Sequence, residues 1–165
     1  MTLEVIVLAA GKGTRMRSAL PKVLHELGGR PLLEHVLDTV RQLTPGRIHV
    51  VYGYGGEFVR EQLADAEDVD WVEQTQQLGT GHAVRQALPG LSPNALALVL
   101  YGDVPLIRAD TLRVLVEQCT GEDPVLLTAE LEDPTGYGRI LRDGAGAVMA
   151  ILQLLRLILL ARSDD

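Results

Sequence analysis

Apolar, β-favouring runs recur along the chain at Glu4 to Ala9, Ile48 to Tyr52, Val69 to Val72, Leu96 to Leu100 and Val125 to Thr128, and each predicts a strand. Between the first four lie stretches with helical spacing: Leu32, Leu33, Val36, Leu37 and Val40, then Phe58, Val59 and Leu63, then Ala83, Val84, Ala87 and Leu88. Strands apolar on both faces that alternate with helices are what a parallel sheet covered on both sides requires. The pattern therefore predicts an α/β fold: a doubly wound, mostly parallel sheet with helices on both faces. In such sheets ligands sit beyond the carboxyl ends of the strands, which makes the residues just after each strand the candidates for chemistry.

Composition narrows the class. A length of 165 residues, 47% hydrophobic and 22% charged, fits one globular domain with a substantial core. A net charge of −7 disfavours a nucleic-acid partner, which would need a basic surface. The single cysteine, Cys119, leaves no internal disulfide and no CxxC site, which fits a reducing cytoplasm. The opening MTLEVIVLAAGKG lacks a basic segment before its short apolar run, so a signal peptide is not expected. None of the four histidines (His25, His35, His49, His82) has zinc-site spacing with another.

After the first strand comes Leu8-Ala9-Ala10-Gly11-Lys12-Gly13-Thr14-Arg15-Met16. Two glycines let the backbone turn tightly and aim N–H groups at an anion, although a plain tight turn uses the same residues. Met16 stands where a third glycine would complete a dinucleotide fingerprint, and there is no GxxxxGK[ST] run, so NAD-linked and Walker-type sites are disfavoured. Lys22 follows Leu20-Pro21 and is presented from a stiffened segment. It is one of only two lysines among 15 basic residues, which sets a specific cation against an ordinary solvated one. Gln74 follows a strand and offers a donor and an acceptor together, or is a solvent-facing strand end. Asp103, just past another strand, can hold a divalent cation or cap the turn toward Pro105.

LAAGKGTRM followed by LPKVLH resembles the opening signature of sugar-phosphate nucleotidyltransferases. Gln74 with Gln77-Leu78-Gly79-Thr80-Gly81-His82-Ala83, Tyr101-Gly102-Asp103-Val104-Pro105-Leu106, and Asp133-Pro134-Thr135-Gly136-Tyr137-Gly138-Arg139 narrow the likeness to the bacterial N-acetylglucosamine-1-phosphate uridylyltransferases, over residues 3 to 144. The resemblance implies their Rossmann-like nucleotide-diphospho-sugar transferase fold. It implies transfer of a uridylyl group from UTP to N-acetylglucosamine-1-phosphate with Mg²⁺. Leu8, Ala9, Ala10 and Gly11 would contact the nucleotide, with Arg15 and Lys22 facing the triphosphate as the catalytic cations. Gln74, Gly79 and Thr80 would surround the base; Tyr101, Gly102, Asp103 and Gly138 would line the substrate region, with Asp103 holding the metal. His82 reads as structural, and Arg139 as a weaker phosphate candidate.

The N-terminal part of a nucleotidyltransferase domain is expected over residues 1–146, followed by a divergent apolar tail at 147–165, whose Ala147 to Ala161 stretch is AVMAILQLLRLILLA. Gln153 stands where relatives carry a sugar-binding Glu, and the later sugar and metal ligands, like the β-helix acetyltransferase domain through which relatives assemble, are expected beyond Asp165. Oligomerisation through that domain is accordingly not expected. These fifteen residues, which contain Arg156, make a poor membrane span. They read as a buried helix or strand, or as an apolar end that has lost its packing partner. A nucleotide-binding fragment without catalysis stands as the alternative to a working transferase.

Overall fold

In a computed structural model the described residues are 2–11, 18–53, 55–120, 123–130, 132–133, 135, 139–146, 148–152 and 158–162. Strands β1 (Leu3–Leu8), β4 (Arg47–Tyr52), β5 (Val69–Glu73) and β6 (Leu96–Tyr101) run parallel, with β1 between β4 and β6. Strand β7 (Val125–Leu127) joins through β10 (Ile158–Arg162), which runs antiparallel to both β6 and β7 and completes the order β5-β4-β1-β6-β10-β7. Two small antiparallel pairs stand apart from this sheet: β2 (Glu26–Leu27) with β3 (Arg30–Pro31), and β8 (Arg139–Arg142) with β9 (Val148–Leu152). The described parts of the apolar end, 148–152 and 158–162, are thus strands, the second of them inserted into the main sheet.

Alternation along the strands sorts two cores. Val5, Val7, Ile48, Val50, Leu98 and Leu100 face α1 (Leu32–Arg41), α2 (Gly56–Gln62) and α4 (Ala109–Gln118), whereas Ile6, Leu8, Val51 and Val99 face α3 (Thr80–Ala87). Helix α1 shows why these segments are helical: Pro31 supplies a preset φ of −52° at its entry, and Leu33, Val36, Leu37 and Val40 at three- and four-residue spacing are fully buried. The five expected strands are present to within a residue or two at each end. Helix α4 went unpredicted, although Leu112 and Leu115 anchor it in the core. Phe58, expected on the apolar face of its helix, is instead 61% exposed; Val59 alone carries the inward side of that seven-residue helix. The edge strand β5 also departs from the two-sided apolar reading, with Asp70 and Glu73 exposed. Among the described residues no helix is long and apolar enough to cross a membrane.

Candidate active site

The sheet order reverses at β1: the chain passes from β1 outward to β4 and β5, then returns to lay β6 on the other side. A crevice opens beyond the carboxyl ends of two strands whose connections leave in opposite directions, so β1 and β6 define where a ligand fits. Leu8 is paired with Tyr101, and the Gly102 N–H donates to the Leu8 carbonyl at 2.9 Å, so Ala9 to Gly11 and Asp103 leave the sheet side by side. Leu8, Ala9 and Ala10 are buried, whereas Gly11 emerges exposed. Arg15 lies outside the described residues, as do Lys12, Gly13 and Gly138.

Lys22 opens a 3-10 turn, Lys22–Leu24, that follows Pro21. Val23 and Leu24 are buried and anchor the turn, and a Cβ on Gly55, whose φ is +67°, would collide with the Pro21 ring. The loop after β4 is thereby pressed against the lysine's support. The ammonium reaches across to the carboxylate of Asp103, Nζ to Oδ2 at 2.7 Å, with side-chain exposures of 25% and 15%. Burial pushes the Asp103 carboxyl above its ordinary range, and its own backbone N–H offsets part of that push. The adjacent ammonium favours the ionised form. A half-buried cation and anion on neighbouring loops form a pair that incoming charges can exchange: phosphate oxygens for the lysine, a cation for the aspartate.

Gly102 is buried for a packing reason. A side chain there would stand 3.1 Å from Leu33 Cδ1 and 3.3 Å from both the Leu8 carbonyl and Val23 Cγ1. Gly53 is similarly confined, its missing Cβ being 2.9 Å from Gln77 Nε2, 3.1 Å from Ala10 Cβ and 3.2 Å from the Gln74 carbonyl. Gly53 thus packs between the loops after β1 and β5, a candidate for shaping the site that sequence reading missed. Its only signal was a glycine directly after a predicted strand.

Gln74 is 3% exposed, and its backbone N–H donates to the Tyr52 carbonyl at 2.7 Å, extending the β4–β5 pairing by one residue. Its side-chain Nε2 donates to the Gly79 carbonyl at 3.2 Å and lies 2.9 Å from His82 Nδ1. The reading of Gln74 as a solvent-facing strand end is thus replaced by a buried amide tied to the entry of α3. Gly79 caps that helix with φ +103°, in open space, so its backbone conformation rather than crowding calls for glycine. Thr80 begins the helix and is exposed. Lys22, Asp103, Gly11, Gln74 and Gly79 therefore all lie on the loops that leave the carboxyl ends of β1, β5 and β6.

At the opposite end of the sheet a cleft of about 360 Å³ is lined by Arg41, Arg47 and Asp68 among others. Its cations are already engaged. Arg41 donates to both carboxylate oxygens of Asp68 at 2.6 and 2.8 Å, and Arg47 pairs with Asp70 at 2.8 Å.

The family model for MobA-like NTP transferase domains matches residues 5–156. The chain belongs to this family. The Bifunctional protein GlmU of Pseudomonas aeruginosa is 60% identical over 153 residues, 93% of this chain and 33% of that protein. The protein of the same name from Azotobacter vinelandii is 61% identical over the same coverage. The chain thus spans about a third of the length of the curated relatives it matches. Among solved structures, a nucleotidyl transferase from Methanothermobacter superposes with TM-score 0.75 at 23% identity, covering 99% of this chain and 72% of that one. This likeness supports the nucleotidyltransferase fold.

Proposed function

We propose that the chain carries out nucleotidyl transfer from UTP to N-acetylglucosamine-1-phosphate, giving UDP-N-acetylglucosamine and pyrophosphate. The observation that carries this reading is the Lys22–Asp103 pair at the β1/β6 switch point, with Gly11 beside it and Gln74 and Gly79 on the loop after β5. The 60% identity to the GlmU relatives supports the choice of substrates.

The attacking sugar-phosphate oxygen is already ionised at neutral pH, so no deprotonating base is required. The protein must bring two anions together and stabilise charge on the α-phosphoryl group and the departing pyrophosphate. Lys22, held by the Pro21 turn, supplies a fixed cation, and the backbone leaving β1 at Ala9 to Gly11 supplies the floor for the nucleotide. Among the described residues no group of three or more acidic, His or Cys side chains could cage a metal. A single carboxylate at a strand end nevertheless suits Mg²⁺, which commonly takes one or two protein carboxylates and completes its shell with phosphate oxygens and water. Asp103 would hold it. Bound there, the metal would offset phosphate charge. Arg15 and Gly138 retain their proposed roles toward the triphosphate and the acceptor sugar. The chemistry belongs in the cytoplasm, where both substrates are available.

The charge change at Gln153 favours a second reading, a nucleotide-binding chain that does not turn over. Pyrophosphate release with both substrates and Mg²⁺ separates the two: release supports transfer, whereas UTP binding without release supports the second reading.

A further inference from the structure

The amide of Gln74 is held from behind by an arrangement that fixes which of its ends remains for a ligand. Gln74 Nε2 stands 3.2 Å from the Gly79 carbonyl and 2.9 Å from His82 Nδ1, and the other ring nitrogen, His82 Nε2, stands 3.2 Å from the Gln86 side-chain amide. Two assignments of this chain are self-consistent. In the first, Gln74 donates one amide hydrogen to Gly79 O and the other to an unprotonated Nδ1; His82 then carries its proton on Nε2 and donates to the Gln86 amide oxygen. In the second, Nδ1 carries the proton and Gln74 is turned over.

The turned-over amide would set its oxygen 3.2 Å from the Gly79 carbonyl oxygen, two acceptors facing each other around a side chain that is 3% exposed and has little room to withdraw. The first assignment turns Gln86 over and sets its oxygen toward the His82 carbonyl, but at the longer distance of 3.4 Å and on a partly exposed side chain that has room to swing away. The first assignment therefore prevails. Both hydrogens of the Gln74 amide are consumed internally, and its Oε1 takes no hydrogen bond from a described residue.

We propose that His82 is a positioning residue that locks the Gln74 amide with both hydrogens engaged and its oxygen left for a ligand, so that the site selects a nucleobase presenting a ring N–H to that oxygen. The inference rests on the proposed reading of Gln74 as the residue that meets the base. It also revises the expectation that Gln74 offers donor and acceptor together: it offers an acceptor only. The N3–H of uracil is such a donor, and methylation at N3 removes it while leaving the triphosphate unchanged.

Binding of UTP and of 3-methyl-UTP, each with Mg²⁺, is to be measured calorimetrically on the full chain and on His82→Leu and His82→Asn. The wild-type chain is expected to prefer UTP about tenfold, the loss of one hydrogen bond to a buried acceptor. His82→Leu brings the preference below about twofold, and His82→Asn, which restores an acceptor beside Gln74, keeps most of it. A wild-type preference that survives unchanged in His82→Leu, or that His82→Asn loses as completely, overturns the role of His82 alone. A wild-type chain without preference overturns the base-reading role of Gln74, and this inference with it. Nitrogen-15 NMR of the wild-type ring supplies a readout independent of any variant's folding: an unprotonated Nδ1 supports the proposal, and a protonated Nδ1 overturns it.

Discussion

The two ends of the main sheet both carry a paired acid and base, and they differ in what holds the pairs. Near the amino ends, Glu4 on β1 and His49 on β4 are each 1% exposed, with His49 Nε2 3.2 Å from Glu4 Oε2 and the Ser92 N–H 3.3 Å from both carboxylate oxygens. At the carboxyl ends, Lys22 and Asp103 are less buried and sit on a turn and a loop. A pair carried on two strands cannot separate without unzipping the sheet, so it serves the fold. A pair carried on loops at the switch point can trade partners. Depth of burial alone would have ranked the structural pair first; its place in the topology reverses that order.

The sharpest separation of the two ends comes from Lys22→Ala, which is expected to lower turnover by about 10² to 10³, by analogy with the loss of one preorganised charge-stabilising donor. Its urea midpoint should stay close to wild type. Asp103→Asn should abolish most metal-dependent turnover with the same preservation of fold. An unchanged rate in a steady-state pyrophosphate assay would remove either residue from the mechanism.

Glu4→Ala should behave the opposite way, destabilising the chain by about 1 to 3 kcal/mol in urea unfolding, since removing the carboxylate strands the buried ring nitrogen of His49 that faces it. UTP affinity should be unchanged in the variant that remains folded. The same residue gives the pH dependence. Burial pushes the Glu4 carboxyl up, but the Ser92 and His49 hydrogen bonds outweigh it and hold the group below its ordinary 4.5. As pH falls below that value the unfolded chain takes up the proton first, so the stabilisation present above about 4.5 is lost down through the lower folded value. Acid titration of unfolding free energy should show this loss in the wild type and a flatter profile in Glu4→Gln.

Smaller effects refine the comparison. Gly79→Ala places a side chain at φ +103° and should cost about 1 to 3 kcal/mol while loosening the carbonyl that holds Gln74. Arg47→Ala, which removes an exposed pair with Asp70 at the amino end, should change stability by no more than about 1 kcal/mol and leave nucleotide binding alone. Both are read by chemical denaturation alongside UTP titration.

Much of this architecture was legible from period alone, because β1, β4 and β6 are buried on both faces and their apolar runs have no competing explanation. Phe58 misled because a seven-residue helix needs only one turn of inward contact, which Val59 supplies. Lys22 and Asp103 were legible as residues after a stiff turn and after a strand, but their direct pairing depends on β6 lying beside β1, which no local pattern encodes. The four-residue spacing of His82 and Gln86 makes them neighbours on a helix, but it gives no hint that the loop before α3 brings the Gln74 amide to the other side of the same imidazole. Gly102, a substrate-region candidate by resemblance, has in addition a packing reason in Leu33, Val23 and the Leu8 carbonyl that is visible only in three dimensions.

The central claim, that nucleotide chemistry occupies the carboxyl ends of β1 and β6, is tested most directly by titrating UTP with Mg²⁺ into the isotope-labelled chain and following backbone amide shifts. The account predicts that the shifts concentrate at Gly11, Lys22, Gly53, Gln74, Gly79 and Asp103 and spare Glu4, Arg47 and Ser92. Shifts gathered instead around the Arg41 and Arg47 cleft, with Lys22 and Asp103 silent, would contradict it.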